Sequence, residues 1–300
     1  MIEIKDLVKK YDNKTVLNHL NYTISTGSIV VLIGPNGAGK STLLYLLNGI
    51  LQADSGEILF DGQEVYENPE VKKDILLISD DPYYFPHASI DTMKDFYVAW
   101  YPSFDESIFH KFLKIFSLPL HKPIKDFSKG MKRLTMLSIA LAIGPKYLLL
   151  DEAFDGLDPV MRFNFKKAIT KLIEEKEMTI IISSHNLREL EDICDQFGIL
   201  ENGQITTSGD VFETKENIHK IQIVFKEELD KDRFDHLDLL SFKKQSRVIN
   251  MVVKGNMKQI TEYLNKLHPL MLEVLPVNLE EIFIYEMERR GYGIYEDDEY

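Results

Sequence analysis

Apolar residues fall into three patterns along this chain, and each predicts a different kind of element. Residues 29–33, 147–150 and 179–182 are nearly unbroken runs of β-branched residues and leucine. Such runs mark strands buried on both faces, the habit of a parallel sheet. Residues 1–27 alternate instead, with a turn at Asp12-Asn13, and predict an antiparallel sheet edge. Turns at Asp54-Ser55-Gly56 and Asp61-Gly62 bracket a further short strand over 57–60. Over 87–145 the pattern becomes helical: Phe96, Tyr97, Trp100, Phe109, Phe112, Leu113 and Phe116 recur at helix spacing. Those aromatics fit either the core of that segment or, with Tyr83, Tyr84 and Phe85, a groove for partner helices.

From about residue 213 the pattern changes again. Strands are expected over 221–225, 247–253 and 272–277, and a helix over 259–267. Asn278-Leu279-Glu280-Glu281 has the form of a capping box opening a last helix. The final YEDDEY, 295–300, is expected to be a disordered acidic tail. The expected organisation is therefore an α/β unit over 1–212 with a helical subdomain at about 87–145, a small α+β unit over 213–294, and the tail.

The chemistry concentrates where apolar runs end. The run 29–33 leads into Gly34, Pro35, Asn36, Gly37, Ala38, Gly39, Lys40 and Ser41, a G-x-x-x-x-G-K-[ST] loop, and then into a helix from Thr42. Glycines let backbone N–H groups face phosphates, and the helix N-terminus adds partial positive charge. Lys40 is placed to reach β- and γ-phosphates, and the Ser41 hydroxyl to ligate Mg²⁺. The second run ends in Asp151-Glu152, a carboxylate for the Mg²⁺ shell and a second able to polarise water. The third ends at His185, a candidate γ-phosphate contact. These residues predict a chain that binds ATP and Mg²⁺.

Composition narrows the setting. With 44% hydrophobic and 28% charged residues, the 300-residue chain reads as globular, of two units. Its net charge of −13 argues against gripping nucleic acid through bulk charge, so no nucleic-acid partner is expected. The one cysteine, Cys194, has no intrachain disulfide partner and reads as a small buried residue after an amphipathic run. No apolar stretch approaches the ~20 residues that span a bilayer, and the start shows no secretory h-region, so a cytoplasmic chain is expected.

Between the second and third motifs the chain resembles a known family. Phe127-Ser128-Lys129-Gly130-Met131-Lys132-Arg133, before an apolar helix, is similar to the LSGGQ signature of ATP-binding-cassette (ABC) ATPases, and Asp155-Gly156-Leu157-Asp158-Pro159 resembles their D-loop. Tyr11 stands where that family places an adenine-stacking aromatic. The resemblance spans residues 1 to about 212, with the motifs in the family's order. It implies a P-loop NTPase (RecA-like) core with an antiparallel β edge and a helical signature subdomain. It also implies an ATPase in which two cassettes, identical or homologous, sandwich two ATPs. The phosphate loop of one, with Thr42, would then face Ser128, Gly130 and Asp158 of the other. Trp100-Tyr101-Pro102-Ser103-Phe104-Asp105 and SKGMKR are closest to the ATPase subunits of Gram-positive-type exporters, including phenol-soluble-modulin (amphipathic peptide) exporters. This implies an integral membrane partner, a position on the inner face of the cell membrane, and amphipathic or antimicrobial peptides as cargo. The small unit after 213 is similar to the C-terminal extension of exporter-type members, for which dimer support is the first expectation. The alternative is a non-transport member switching a soluble assembly. The single phosphate loop and the absence of long heptads speak against it.

Three departures stand out. Asp80 replaces the family's glutamine; it remains a hard oxygen donor for Mg²⁺, or equally a solvated turn residue before Pro82. Lys129 replaces the first signature glycine, and Ala153-Phe154 the usual Pro-Thr. If Tyr11 stacks on the base, Tyr11→Ala weakens ATP binding by ~1–3 kcal/mol and Tyr11→Phe restores it, as read by equilibrium titration.

Overall fold

The computed structural model describes residues 1–289 and divides into two compact units, one from Met1 to Ser208 and one from Gly209 onward. The acidic tail lies outside the described residues. In chain order the first unit contains β1 (Ile2–Tyr11), β2 (Lys14–Ile24), β3 (Ile29–Ile33), α1 (Lys40–Leu47), β4 (Ser55–Phe60), β5 (Gln63–Glu64), α2 (Pro69–Lys72) and β6 (Ile75–Ile78). Then follow α3 (Ile90–Trp100), α4 (Glu106–Ile115), α5 (Lys129–Ile143), β7 (Tyr147–Asp151), α6 (Pro159–Lys176), β8 (Thr179–Ser184), β9 (Gln196–Glu201) and β10 (Gln204–Asp210).

Two sheets carry this unit. The alternating N-terminal segment forms the long antiparallel pair β1–β2, with Tyr11 opposite Lys14 at its turn, in a sheet ordered β2-β1-β4-β5. The continuous apolar runs form the parallel centre of a second sheet, ordered β10-β9-β3-β8-β7-β6. One apolar cluster joins both sheets through α1: Ile4, Leu7 and Leu17 from the first, Leu43 and Leu47 from the helix, Leu32, Leu149 and Ile181 from the second. The phosphate-loop helix is thereby held between two sheets. Parallel β3, β7 and β8 end side by side, which gathers the residues following them. Such strand ends are where open α/β sheets hold ligands.

The helix-rich segment resolves its aromatics both ways. Phe109, Phe112 and Phe116 are buried, whereas Trp100 and Tyr83 are each 70% exposed. Past His185 the chain makes only a single 3-10 turn, Leu187–Glu189, before β9, and Cys194 is buried.

The second unit holds α7 (Val211–Asn217), β11 (Ile218–Val224), β12 (Asp238–Gln245), β13 (Val248–Lys254), α8 (Met257–Asn265), β14 (Met271–Leu275) and α9 (Leu279–Arg289). Its sheet runs β12-β13-β11-β14, and Ile221, Ile249, Met251, Phe234 and Leu264 build its own core. The capping box forms as read: the Asn278 side chain accepts from the Glu281 N–H at 2.8 Å, and the Glu281 carboxylate from the Asn278 N–H at 3.2 Å.

One polar knot ties the start of the chain into the first unit. Asp61, in the β4–β5 turn, accepts from the N-terminal amine (2.6 Å), the Lys146 ammonium (2.7 Å) and the Tyr147 hydroxyl (2.8 Å). Lys146 and the N-terminus hold the Asp61 carboxyl well below the usual carboxylate range. A lowered carboxylate contributes stability that is full above the unfolded value of about 4 and is lost as pH falls through the folded one. Asp61→Asn is therefore destabilising at neutral pH, and its difference from wild type shrinks below about pH 4. Urea melts across that range check this.

Candidate active site

The phosphate loop leaves β3 and turns into α1 through Gly39, whose φ of 108° is closed to ordinary side chains; a Cβ there would also lie 2.9 Å from Leu17 Cδ2. The first turn of α1 carries no acidic residue, so its N–H groups remain open to an anion. Lys40 is only 6% exposed. Its ammonium donates to the Gly34 carbonyl at 2.7 Å and the Pro35 carbonyl at 3.3 Å, and lies 3.4 Å from Glu152 Oε1.

A cavity of ≈460 Å³ opens over this loop, and Lys40, Ser41, Thr42, Asp80, Asp151 and Glu152 share its lining with Asn36, Gly37 and Gly39. Ser41, Asp80 and Asp151 thus bring hard oxygen donors to one cavity, a set that fits Mg²⁺. The loop residues Gly34, Pro35 and Ala38 complete the turn around Lys40. Glu152 has a left-handed backbone, φ 47°, and its Oε2 lies 3.0 Å from His185 Nδ1. His185 therefore joins the site through Glu152.

Ser183, one strand over, was not singled out by sequence reasoning. Its buried hydroxyl donates to Asp151 Oδ1 at 2.5 Å and accepts from the Glu152 N–H at 3.0 Å. The register that sets Asp151 opposite Ser183 makes this possible. The available signal was a pair of serines closing an otherwise apolar strand.

Asp80 enters the cavity wall from the loop after β6 but is already engaged. The Arg133 guanidinium donates to its carboxylate, and Lys129 Nζ is 3.1 Å from the same oxygen. Partial burial pushes the Asp80 carboxyl up, but Lys129 and Arg133 outweigh it and hold the group below its ordinary value. Burial, then the charges of Asp151 and Asp80, raise the neighbouring Tyr45 phenol. With Asp80 so paired, Asp151 and Glu152 share the lining with the buried Lys40 ammonium, and their oxygens suit a divalent cation.

Other expected site residues lie off this cavity lining. Tyr11 is exposed at the tip of the β1–β2 hairpin, whose return strand lends Lys14 and Val16 to the cavity. Ser128 caps α5, accepting from the Met131 N–H at 3.2 Å, and Asp158 caps α6, accepting from Val160 and Met161 at 3.0 Å. Gly130 packs on the D-loop, where an added Cβ would lie 2.8 Å from the Gly156 carbonyl oxygen. Ala153 and Phe154 are buried, with Phe154 against the Phe165 ring at 5.2 Å, so that departure serves packing. A separate groove of ≈670 Å³ is lined by Ser79, Pro82, Tyr83, Phe85 and Phe96, among others. Among the described residues, no helix is long and apolar enough to cross a membrane.

Comparison with known proteins agrees with this geometry. The ABC transporter family profile matches residues 17–155. The ABC transporter ATP-binding protein YtrB of Bacillus subtilis (strain 168) is 33% identical over 95% of this chain and 97% of its own length. The lantibiotic transport ATP-binding protein SrtF of Streptococcus pyogenes is 36% identical over 75% of this chain and 98% of its own. A solved ATP-binding subunit of an ABC transporter superposes with a TM-score of 0.65 at 28% identity, covering 72% of this chain and 92% of that one. A dimeric cassette, MJ0796, bound to ADP and Pi, shares the fold with a TM-score of 0.63 at 20% identity, over 70% of this chain and 99% of that one.

Ser183→Ala removes the hydroxyl that holds Asp151 while sparing the Ser183 carbonyl, which also accepts from the Glu152 N–H at 3.2 Å. Loss of such a supporting contact lowers turnover about 10–100-fold and raises the Mg²⁺ requirement. Phosphate release measured against Mg²⁺ concentration tests this.

Proposed function

The chain belongs to the ABC transporter ATP-binding proteins, ATPases that drive transport, and from that membership we propose that it powers a membrane exporter by closing two cassettes over ATP. The observation that carries the shared-site part is a separation. Lys40, Ser41, Asp151 and Glu152 line the phosphate cavity, whereas Ser128, Gly130 and Asp158 stand outside that lining. Each chain thus offers two half-sites, and the N-terminus of α5, outside its own chain's cavity lining, is the part offered to the γ-phosphate held by a second copy or homologue.

In this reading Tyr11 stacks on adenine, residues 34–42 bind the phosphates, and Ser41, Asp80 and Asp151 hold Mg²⁺, which screens the phosphate charge when bound. Glu152, steadied by Ser183 and His185, takes a proton from the attacking water, and His185 steadies the γ-phosphate. The integral membrane partner seats a cytoplasmic helix in the groove beside Tyr83, Phe85 and Phe96, which places the cassette on the inner face of the membrane. The exposed aromatic rim, with Trp100 near it in sequence, supports that seat. Export of amphipathic or antimicrobial peptides is supported by the likeness to SrtF, a lantibiotic transport protein. The likeness to transport ATP-binding proteins supports this reading over the alternative of a switch on a soluble assembly.

Two inactive variants test the shared site. Glu152→Gln keeps size and removes the base, lowering hydrolysis about a hundredfold or more and trapping an ATP-loaded dimer. Ser128→Asp keeps a cap acceptor for α5 but sets a negative charge towards the opposing phosphate. Gly130→Asp is the poorer choice, because its side chain would strike the D-loop of its own chain. Mixing the two variants rebuilds one complete site, an intact signature facing an intact Glu152, so turnover returns. Light scattering follows the dimer and phosphate release the turnover. No recovery on mixing sinks the shared site. ATP-dependent peptide movement by the complex in vesicles decides direction and cargo.

A further inference from the structure

The most unusual charged cluster among the described residues joins the signature helix to the phosphate cavity of the same chain. Arg133 is a large side chain only 1% exposed, in a helix otherwise packed with leucine, isoleucine and alanine. Its guanidinium donates to the Asp80 carboxylate, to the Asp80 carbonyl at 2.9 Å, and to the Asp155 carbonyl in the D-loop. Lys129, four residues earlier on α5 and so on the same face, brings its ammonium to 3.1 Å from Asp80 Oδ1. Asp80 itself lines the phosphate cavity, while Ser79 and Pro82 on either side of it line the aromatic groove. A planar fork suits this triple role, since it reaches a carboxylate and two carbonyls at fixed angles.

We propose that Arg133 is a positioning residue that, with Lys129, latches the Asp80 carboxylate to the signature helix, and that this latch competes with the use of the same carboxylate as a Mg²⁺ ligand when ATP binds. The inference rests on assigning Asp80 to the metal side of the site. In the structure the carboxylate is held by the buried guanidinium and by Lys129, which ties the start of α5 to the loop after β6. With the cation bound, the negative charge is shared, the grip on α5 loosens, and the signature loop gains freedom to turn towards a second chain. Asp80 and Lys129 act together here: the two departures from the family pattern form one device.

The test uses the full chain and an equilibrium readout that needs no turnover: binding of a fluorescent ATP analogue across free Mg²⁺ concentrations, with EDTA as reference. Lys129→Gln releases part of the latch and lowers the Mg²⁺ needed for half-maximal binding about threefold, the scale of a partly exposed ion pair. Asp80→Asn raises it by a similar factor, each variant being read against its own binding in EDTA. In the Asp80→Asn background, Lys129→Gln has no further effect. Arg133→Lys keeps the charge but loses the fork, and behaves as Lys129→Gln does; should it melt early, the lysine arm alone decides. A Lys129→Gln shift that persists in full without the Asp80 carboxylate overturns the latch. So does the absence of any shift in Lys129→Gln when Asp80→Asn does shift. An Asp80→Asn chain with unaltered Mg²⁺ dependence overturns the metal assignment on which the latch rests, while the mixing result of the preceding section stands or falls separately.

Discussion

A buried ammonium organises this molecule. Lys40 sits inside the phosphate loop with two backbone carbonyls and one carboxylate around it, and a charge so enclosed is tolerated only when its partners are held in place. Holding them requires β3 and β7 to end together with β8, the strand that supports Glu152. It also requires α1 to be clamped between two sheets by one continuous apolar core. The fold of the first unit is in this sense the scaffold that keeps one cation poised among acids.

Electrostatics at the strand ends then follows from position. Asp151 and Glu152 are adjacent in sequence but serve different neighbours: the first faces Ser183 and the cavity, the second Lys40 and His185. Asp80 faces both the cavity and the signature helix. Asp80 is met by Arg133 and Lys129, so Asp151 and Glu152 remain with the Lys40 ammonium, and theirs is the negative charge that a divalent cation relieves. ATP and its metal therefore suit the cavity as a pair.

Much of this was legible before any coordinates. Unbroken apolar runs announced the parallel strands because burial on both faces leaves no room for alternation, and the glycine-rich loop announced itself through residue types no other turn demands. The capping box at Asn278 was equally readable, being a local pattern with a local cause. What escaped detection depended on distant partners. β9, β10 and β12 mix threonine, serine, glycine or lysine into their sequences, and only their sheet neighbours make them strands. Ser183 and Arg133 gained their roles from register and helix packing, bringing together residues 32 and 53 positions apart. The aromatics of α3 and α4 divided between core and surface according to which helix face met α5, information absent from their spacing.

The backbone of Glu152 lies in the left-handed region, where a residue with a Cβ costs about 1 kcal/mol or more relative to glycine. The backbone by itself favours glycine at this turn, while the ion pair with buried Lys40 and the contact with His185 favour the glutamate. That glutamate occupies it means the position answers to two opposed demands: the backbone favours glycine, and the buried ammonium needs a carboxylate beside it. Glycine here would relax the turn and, in the same stroke, strip Lys40 of the carboxylate beside it. Relief of local strain and tolerance of the buried charge therefore pull against each other at one residue.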